Sequence, residues 1–529
     1  MHELGDFTTD RRVAVITAIA IGIGIVAAYV AKALLALIAL FTNIFFYGRI
    51  TTAAASPVGN HLGLFVIVVP VIGALIIGVM ARYGSERIRG HGIPEAIEAI
   101  LINGSRIDAK VALLKPLSSA ISIGSGGPFG AEGPIIMTGG ATGSLIAQFF
   151  HLTAAERKTL LVAGAAAGMS ATFAAPVAAV LLAVELLLFE WKPRSFIPVA
   201  LASATAAATR RYIIGLGPLF PVPAHPIFIG PSGLVGCVIA GVLAGALSAA
   251  LTYAVYASED LFQKLPIHWM WWPAFGGLVI GIGGYFFPQA LGVGYETIGA
   301  LLQGDVSRNV IVGILLVKST IWAFSLGSGT SGGVLAPLLM MGGALGGLEA
   351  AVLPYEGVGF WPLVSMGAIL GGTMRSPFTG VVFALELTHD VNMLLPLLVA
   401  VTLAHAFTVL MLPRSILTEK VSRRGFHLSR EYAVDPLEIL FVRDVMRPGS
   451  PDGNAIGQTV VAYPDEPLRM VVYRMADTGL TRFPVVDRGE GETIGTVSLE
   501  DLLHARVRTL DEDRRRERVL RPFQTREIT

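Results

Sequence analysis

The chain contains two copies of one glycine-rich segment. Gly124–Gly143 reads GSGGPFGAEGPIIMTGGATG, and Gly327–Gly346 reads GSGTSGGVLAPLLMMGGALG. When Pro134 is aligned with Pro337, an offset of 203 positions, both copies run proline, two aliphatic residues, methionine, one residue, Gly-Gly-Ala, one residue and glycine. Internal repeats of this length are typical of membrane transporters built from two halves, with the site where the halves meet.

A second pair of landmarks supports the same repeat. Pro176 is followed nine positions later by Glu185, and Pro377 is followed nine positions later by Glu386. The offset between the two prolines is 201 positions (377−176), close to the first value. The recurrence favours a shared structural role for the two glutamates, such as holding a helix terminus.

The composition predicts an integral membrane protein. Of the 529 residues, 53% are hydrophobic and 15% are charged, whereas a soluble domain has about 25% charged residues. Apolar runs long enough for a helical span recur from Val13 to beyond Val409. The net charge of +1 gives no indication of nucleic-acid binding, and the single cysteine, Cys237, excludes an intrachain disulfide and a cysteine metal cluster.

Glu132 is the first candidate functional residue. It stands among glycines with apolar sequence on both sides, and an ionisable residue at membrane depth is costly and commonly functional. Glycine-rich turns that open helices within a membrane present unpaired N–H groups and can bind anions. The alternative is a glutamate exposed in a loop outside the membrane.

Several apolar runs are too long or too interrupted to be single straight spans. Val13–Tyr47 must tilt strongly or break, and Leu160–Phe189 is broken by Pro176. We interpret Arg194–Arg211 and the proline-rich segment around Pro221 as a loop that closes the first half.

Near Phe426 the sequence becomes charged, and strand and helix signals begin to alternate, which indicates a small soluble α/β module. The predicted divisions are 1–228 for the first membrane half, 229–425 for the second, 426–440 for a linker, 441–505 for the α/β module and 506–529 for a charged tail.

Four motifs in order carry a family resemblance. They are Gly-x-Gly-Ile-Pro at 90–94, Gly-x-Glu-Gly-Pro at 130–134, Gly-Gly-x-x-Ala-Pro at 332–337 and Ser-Ile-x-Thr at 415–418. Together they resemble the CLC chloride channel and transporter family over about residues 10–425. The implied fold is a polytopic α-helical membrane protein, an inverted repeat of two halves with broken helices.

The resemblance also implies function. It predicts a homodimer in the plasma or inner membrane, with one chloride pathway per subunit and both termini cytoplasmic. Glu132 would be the gate, because its carboxylate competes with chloride and swings away when protonated or displaced. The implied chloride-binding positions are Gly130, Ala131 and Gly133 at the outer site, Val334 and Leu335 at the central site, His91, Gly92 and Ile93 at the inner entrance, and Leu417 in the last helix.

The sequence departs from the family pattern at several of these positions. His91 replaces the usual serine, so that an imidazole stands in place of a hydroxyl donor. Leu417 replaces the usual tyrosine, which removes a second donor. Leu335 replaces a common phenylalanine, and Ala131 replaces a common lysine or arginine, which weakens the attraction for anions at the outer mouth.

One further departure bears on mechanism. Coupled proton exchangers of the family usually carry a second glutamate at the position of Leu186. Its absence favours a passive chloride channel, with a proton-coupled antiporter as the alternative if Glu185, Glu190, His91 or water carries the proton. In both cases we expect backbone amides, rather than metal ions or cationic side chains, to hold the chloride beside Glu132.

The module at 441–505 resembles a single cystathionine-β-synthase-type (CBS) domain, expected on the cytoplasmic side. Thr496, Ser498 and Asp501 resemble a ribose-contacting arrangement, which makes an adenine nucleotide a candidate ligand. The simpler interpretation is a domain for dimerisation and stability. No other cofactor or metal is expected.

Two other functional classes fit less well. A cation transporter regulated by a CBS domain would need clustered carboxylates or carbonyls, and the membrane part has only scattered single acids. An intramembrane enzyme is not indicated, since no His-Glu-x-x-His sequence or nucleophile-and-base spacing is present.

Overall fold

The computed structural model describes residues 11–102, 104–425, 437, 440–449, 460–489 and 491–514, with side chains up to residue 507. It divides into two compact units. The first comprises the residues up to Ala147, Lys158–Leu188 and Lys192–Leu417, and the second comprises Gln148–Arg157, Phe189–Trp191 and the residues from Thr418.

Helices dominate the described residues before Gly425. They are α1 (Arg12–Thr42), α2 (Val68–Tyr83), α3 (Ile93–Leu101), α4 (Ala109–Gly124), α5 (Glu132–Gln148), α6 (Ala154–Phe173), α7 (Pro176–Leu182), α8 (Pro193–Ile213), α9 (Pro231–Gln263), α10 (Trp272–Phe286), α11 (Tyr295–Gln303), α12 (Arg308–Gly313), α13 (Ser319–Gly327), α14 (Leu335–Glu349), α15 (Phe360–Met374), α16 (Pro377–Thr388), α17 (Leu394–Met411) and α18 (Ile416–Arg423).

Some of these helices are long enough to cross a bilayer and others are not. Among the described residues, five apolar helical stretches have the length and composition of a span: Arg12–Tyr47, Gly63–Tyr83, Pro231–Gln263, Arg308–Gly327 and Val391–Arg423. By contrast, α14 and α15 have 15 residues each, or roughly 22 Å, which is less than the ~30 Å hydrocarbon core. Such short apolar helices fit the prediction of helices that stop within the membrane.

The two repeat glutamates bind the helix starts of each other's half. The Glu185 carboxylate accepts the N–H groups of Phe378 at 3.1 Å and Thr379 at 2.9 Å, at the start of α16. The Glu386 carboxylate accepts the N–H groups at the start of α7, from Val177 at 3.0 Å and Ala178 at 2.8 Å. Helix starts carry unpaired donors and a partial positive charge. The predicted structural role for this pair is confirmed, and it joins the two halves.

The interpretation of Arg194–Arg211 as a loop is wrong, because these residues lie in α8. The segment is rich in alanine, the residue with the highest helix propensity, and α8 packs against α1. A side chain on Gly24 of α1 would collide with the carbonyl of Ala202. Because the segment contains few Leu and Ile residues, its composition did not indicate a helix, and the helix packs through small residues instead.

The proline-rich segment does form the connection between α8 and α9, and it is tied to the second half. Phe220 donates its N–H to the carbonyl of Leu387 at 2.9 Å. His225 is buried, and both its backbone N–H and its Nδ1 contact the carboxylate of Asp390.

The second unit contains a small antiparallel sheet in the order β1 (Arg447–Pro448), β3 (Thr493–Ser498), β2 (Arg482–Val486). Among the described residues, it is accompanied by the helices α19 (Leu468–Thr478) and α20 (Leu499–Arg514). Its core includes Val471, Phe483 and Val497. Most of the predicted linker at 426–440, and the predicted tail beyond 514, lie outside the described residues.

Candidate anion site and gate

Three glycine-rich turns from different parts of the chain meet at one point in the first unit. The N–H of Gly130 donates to the carbonyl of Gly333 at 3.1 Å, and the N–H of Gly333 donates back at 3.0 Å. Gly90 donates to the carbonyl of Thr330 at 3.1 Å and accepts from Gly332 at 3.3 Å. The predicted convergence of the motifs at 90–94, 130–134 and 332–337 is therefore present.

Close packing of these turns requires glycine. A Cβ on Gly133 would collide with the carbonyl of His91, and one on Gly92 would lie 2.5 Å from the carbonyl of Gly133. Gly92 also has a φ of 91°, in the region that side chains disfavour. The start of α3, with His91 and Ile93 buried, is therefore packed directly on the start of α5.

Glu132 lies between the first turns of α5 and α14. Its side chain is fully buried, and one carboxylate oxygen lies about 3.0 Å from the position of a Cβ on Gly333. The backbone amides of Glu132 and Ala336 face the carboxylate. Neither carboxylate oxygen makes a hydrogen bond of standard geometry with any described residue. A carboxyl group thus occupies the place where two helix starts point.

A fourth turn, which the sequence analysis missed, completes the site. Gly292-Val-Gly-Tyr295 leads into α11 as Gly90-His-Gly-Ile93 leads into α3, at an offset of 202 positions (292−90), and Gly294, like Gly92, has a positive φ. The Tyr295 hydroxyl is buried and faces Glu132. The offset between the repeated prolines, applied to the Gly90 turn, predicts the position of this turn.

Two buried lysines hold the first and fourth turns. Lys115 donates to the carbonyls of Ile88 and Gly90, both at 2.8 Å. Lys318 stands 203 positions later (318−115) and donates to the carbonyls of Ala290 at 2.9 Å and Gly292 at 2.7 Å.

That backbone amides, rather than cationic side chains, hold the chloride stays a prediction, although a lysine lies near Glu132. Lys318 is close enough to Glu132 for the two groups to interact electrostatically. Its ammonium group nevertheless binds backbone carbonyls, which orient the turn.

Two of the predicted chloride-binding amides are already used within the protein. Gly92 donates its N–H to the Glu95 carboxylate at 2.8 Å, and Gly130 donates to Gly333. We therefore remove these two N–H groups from the predicted anion donors. A carboxylate three residues into a helix commonly caps its start, and this spacing was visible in the sequence.

Four of the other predicted donors lie at two helix starts, and their chloride binding stays a prediction. Ala131 and Gly133 are at the start of α5, and Val334 and Leu335 are at the start of α14. All four are fully buried. N–H groups at these positions have no acceptor in a preceding helical turn, so they can donate to a dehydrated anion.

The other predicted residues lie in different surroundings. Leu417 is fully buried near the start of α18, where the carbonyl of Ile416 accepts the hydroxyl of Tyr256 from α9. Glu185 is engaged at the start of α16, and Glu190 belongs to the second unit.

A cavity of about 400 Å³ borders the site. Its lining includes Ala131, Gly294 and Tyr295 together with Thr42 and Ser56. Because Ala131 and Tyr295 adjoin Glu132, the cavity offers a partly polar approach to the carboxylate.

In the second unit, Ser498 and Asp501 flank the start of α20, and the third predicted nucleotide residue, Thr496, lies in β3. The Asp501 carboxylate accepts the N–H of Ser498 at 2.9 Å and its hydroxyl at 2.6 Å, and it accepts Arg447 Nε at 2.8 Å. Thr496 pairs with Arg447 and Pro484 in the sheet. Burial tends to raise the pKa of Asp501, but the hydrogen bonds from Ser498 and Arg447 outweigh it and lower the pKa.

Comparison with known proteins adds independent support. Residues 72–409 match the family described as voltage gated chloride channel, and residues 442–508 match the CBS domain. A protein of Ralstonia nicotianae that carries the name chloride channel protein ClcB-like is 29% identical over 367 residues, covering 67% of this chain and 83% of that protein.

The H(+)/Cl(−) exchange transporter ClcA of Yersinia pestis bv. Antiqua (strain Angola) is 30% identical over 343 residues, covering 61% of this chain and 70% of that protein. The crystal structure of a slow cyanobacterial Cl−/H+ antiporter superposes with a TM-score of 0.69 at 20% identity, covering 79% of this chain and 99% of that one. The predicted fold class is confirmed, since that structure shares the fold and the family model matches well over half of the chain. The chain belongs to the voltage-gated chloride channel (CLC) family of anion-transporting membrane proteins and carries a C-terminal CBS domain.

Proposed function

We propose that the protein exchanges chloride for protons across the membrane, with Glu132 as the group that binds the proton and competes with the anion. One observation carries this proposal: a fully buried carboxylate lies between the starts of α5 and α14 without a hydrogen bond of standard geometry to any described residue. A dehydrated chloride needs the same surroundings as this carboxylate. The two anions therefore compete, and protonation of Glu132 removes the competitor.

The comparisons favour coupled exchange over the passive channel that the sequence favoured. A relative that is 30% identical and covers 61% of this chain carries the name of an exchange transporter. Leu186 stands where coupled exchangers of the family usually carry a glutamate, so coupled exchange here needs another inner proton carrier. Glu185 is a poor substitute, because its carboxylate already binds α16.

His91 is the titratable side chain best placed to exchange the inner proton. It lies on the Gly90–Ile93 turn, which packs on the start of α5 directly after Glu132. An imidazole can gain and lose a proton near neutral pH. A proton delivered through the partly polar cavity on the Tyr295 side would reach Glu132 from another direction.

The assembly we propose is a homodimer in the plasma or inner membrane, with one pathway per subunit and cytoplasmic termini. An adenine nucleotide at Thr496, Ser498 and Asp501 would have to share Asp501 with Arg447. Isothermal titration of the full-length protein with ATP, ADP and AMP would test this site.

The transport proposal is tested in proteoliposomes with a chloride gradient and the electrical potential clamped. Coupled exchange predicts that chloride moving down its gradient drives protons uphill, and that Glu132→Gln abolishes proton movement while chloride still moves. Chloride flux without proton movement in the wild type would establish the channel instead.

A further inference from the structure

Tyr295 stands out among the residues around Glu132, because family resemblance assigned it no role. Both Glu132 carboxylate oxygens and the Tyr295 hydroxyl are buried, and none makes a hydrogen bond of standard geometry within the described part of the chain. The two groups face each other. Since buried polar groups are nearly always paired, this pair is built to interact with each other or with a ligand.

The ring of Tyr295 is held in place by two aromatic rings of the first half. It packs edge-on against Phe173 at a centroid distance of 6.5 Å and against Phe220 at 5.9 Å. Its backbone begins α11 behind the Gly294 turn, which Lys318 braces by binding the carbonyl of Gly292. The ring is fixed while the hydroxyl hydrogen remains able to rotate.

We propose that the Tyr295 hydroxyl links protonation of Glu132 to chloride binding, donating to the carboxylate when Glu132 is charged and to the anion when Glu132 is protonated. This inference rests on the proposed function, in which chloride and Glu132 share one site. It also supplies a hydroxyl donor, which the site lacks at His91 and Leu417.

The linkage follows from counting hydrogens. A tyrosine hydroxyl has one hydrogen to donate and lone pairs that accept. Facing a charged carboxylate, it donates to Glu132 and has no hydrogen left for chloride. A protonated Glu132 donates its own hydrogen to the Tyr295 oxygen, which turns the Tyr295 hydrogen toward chloride. Proton and chloride therefore favour each other's binding, and the linkage is reciprocal.

Other charged or titratable groups around Glu132 are already engaged or carry different chemistry. Lys318 and Lys115 bind backbone carbonyls, and Glu95 caps α3. His91 lies on the opposing turn and is titratable itself. The hydroxyl's contribution is therefore measured most cleanly with Glu132 fixed in a neutral form.

The test compares chloride binding by isothermal titration to Glu132→Gln and to Glu132→Gln/Tyr295→Phe. Glu132→Gln carries a neutral amide that donates a hydrogen bond as the protonated acid does. The double variant differs from it only by the missing hydroxyl oxygen of Tyr295. Loss of a hydrogen bond to a charged ligand predicts at least about tenfold weaker chloride binding in the double variant. Tyr285→Phe, a tyrosine on the surface of α10, is the control and should leave chloride binding unchanged.

Two further readouts separate linkage from a packing role. In protein that keeps Glu132, chloride affinity should rise as the pH falls from about 8 to about 5. Tyr295→Phe should reduce this rise, and the variant should take up fewer protons per chloride bound. In the wild type, which needs no variant to fold, chloride should shift the near-ultraviolet tyrosine band.

Chloride affinities within about twofold between the paired variants, or no tyrosine signal on chloride binding, would overturn the inference. A failure of the proposed function would give a different experimental result from a failure of this inference. Chloride flux without proton movement in the wild type would remove antiport, while the binding comparison would still decide whether Tyr295 contacts the anion.

Discussion

Gly130 and Gly333 exchange two backbone hydrogen bonds, of 3.1 Å and 3.0 Å, and so join the helix starts of the two halves. The bridge fixes the distance between α5 and α14, whose first turns enclose the Glu132 carboxylate. Anion binding in this protein therefore depends on a contact between repeats rather than on either repeat alone.

Gly333→Ala should abolish chloride transport. The added methyl group would lie 2.5 Å from the carbonyl of Gly130 and 2.9 Å from the N of Gly133, so the bridge must open. Gly299→Ala is the matched control, because nothing lies within 4 Å of its Cβ position and alanine favours the helix by about 1 kcal/mol. Chloride flux measured in proteoliposomes should be lost only in the first variant, and equal flux in both would contradict the role of the bridge.

Glu386→Ala should destabilise the fold without acting on the proton. It leaves the N–H groups of Val177 and Ala178 without their acceptor, at a cost of about 1–2 kcal/mol. The measurement is thermal unfolding of the purified protein.

Glu185→Gln is the companion variant. It keeps an acceptor for α16 but cannot titrate, so it should preserve the ratio of protons to chloride and lower the stability less. If Glu185→Gln moved fewer protons per chloride than the wild type, Glu185 would belong to the proton path.

The repeat-related lysines should differ in function. Lys318→Met removes the ammonium donor from the carbonyls of Ala290 and Gly292. Lys115→Met removes it from those of Ile88 and Gly90, of which Gly90 keeps the N–H of Gly332, so both variants should lower thermal stability. Lys318 interacts electrostatically with Glu132, whereas Lys115 binds the carbonyls of Ile88 and Gly90 and the hydroxyl of Ser331. Lys318→Met should therefore change the pH dependence of chloride flux more strongly than Lys115→Met, and identical pH profiles would contradict this assignment.

Asp501 should make the CBS domain sensitive to acid. Its pKa is lowered in the folded state, so its contribution is present above the unfolded value of about 3.9 and is lost as the pH falls below it. Amide hydrogen exchange of residues 493–502 in the full-length protein should show opening in that range. At neutral pH, residues 493–502 of Asp501→Asn should be less protected from exchange than those of the wild type. Acidification should lower their protection less than it does in the wild type. An unchanged profile in Asp501→Asn would place the acid response elsewhere.

Sequence patterns with a fixed spacing gave reliable predictions. The prolines at 134 and 337 located α5 and α14, and the nine-residue spacing located the exchange of helix caps by Glu185 and Glu386. Polarity was less reliable, since the alanine- and serine-rich α8 was interpreted as a loop. Interactions between distant turns, such as Tyr295 facing Glu132, depend on which faces meet in three dimensions, and no local pattern encodes them.

The central claim is that a dehydrated halide binds between the starts of α5 and α14, in the place of the Glu132 carboxylate. The most direct measurement is anomalous diffraction from crystals of Glu132→Gln grown in bromide. We predict an anomalous peak within hydrogen-bond distance of the amides of Gly133 or Leu335 and of the Tyr295 hydroxyl. Ordered bromide elsewhere in the membrane part, with none at this position, would contradict the account.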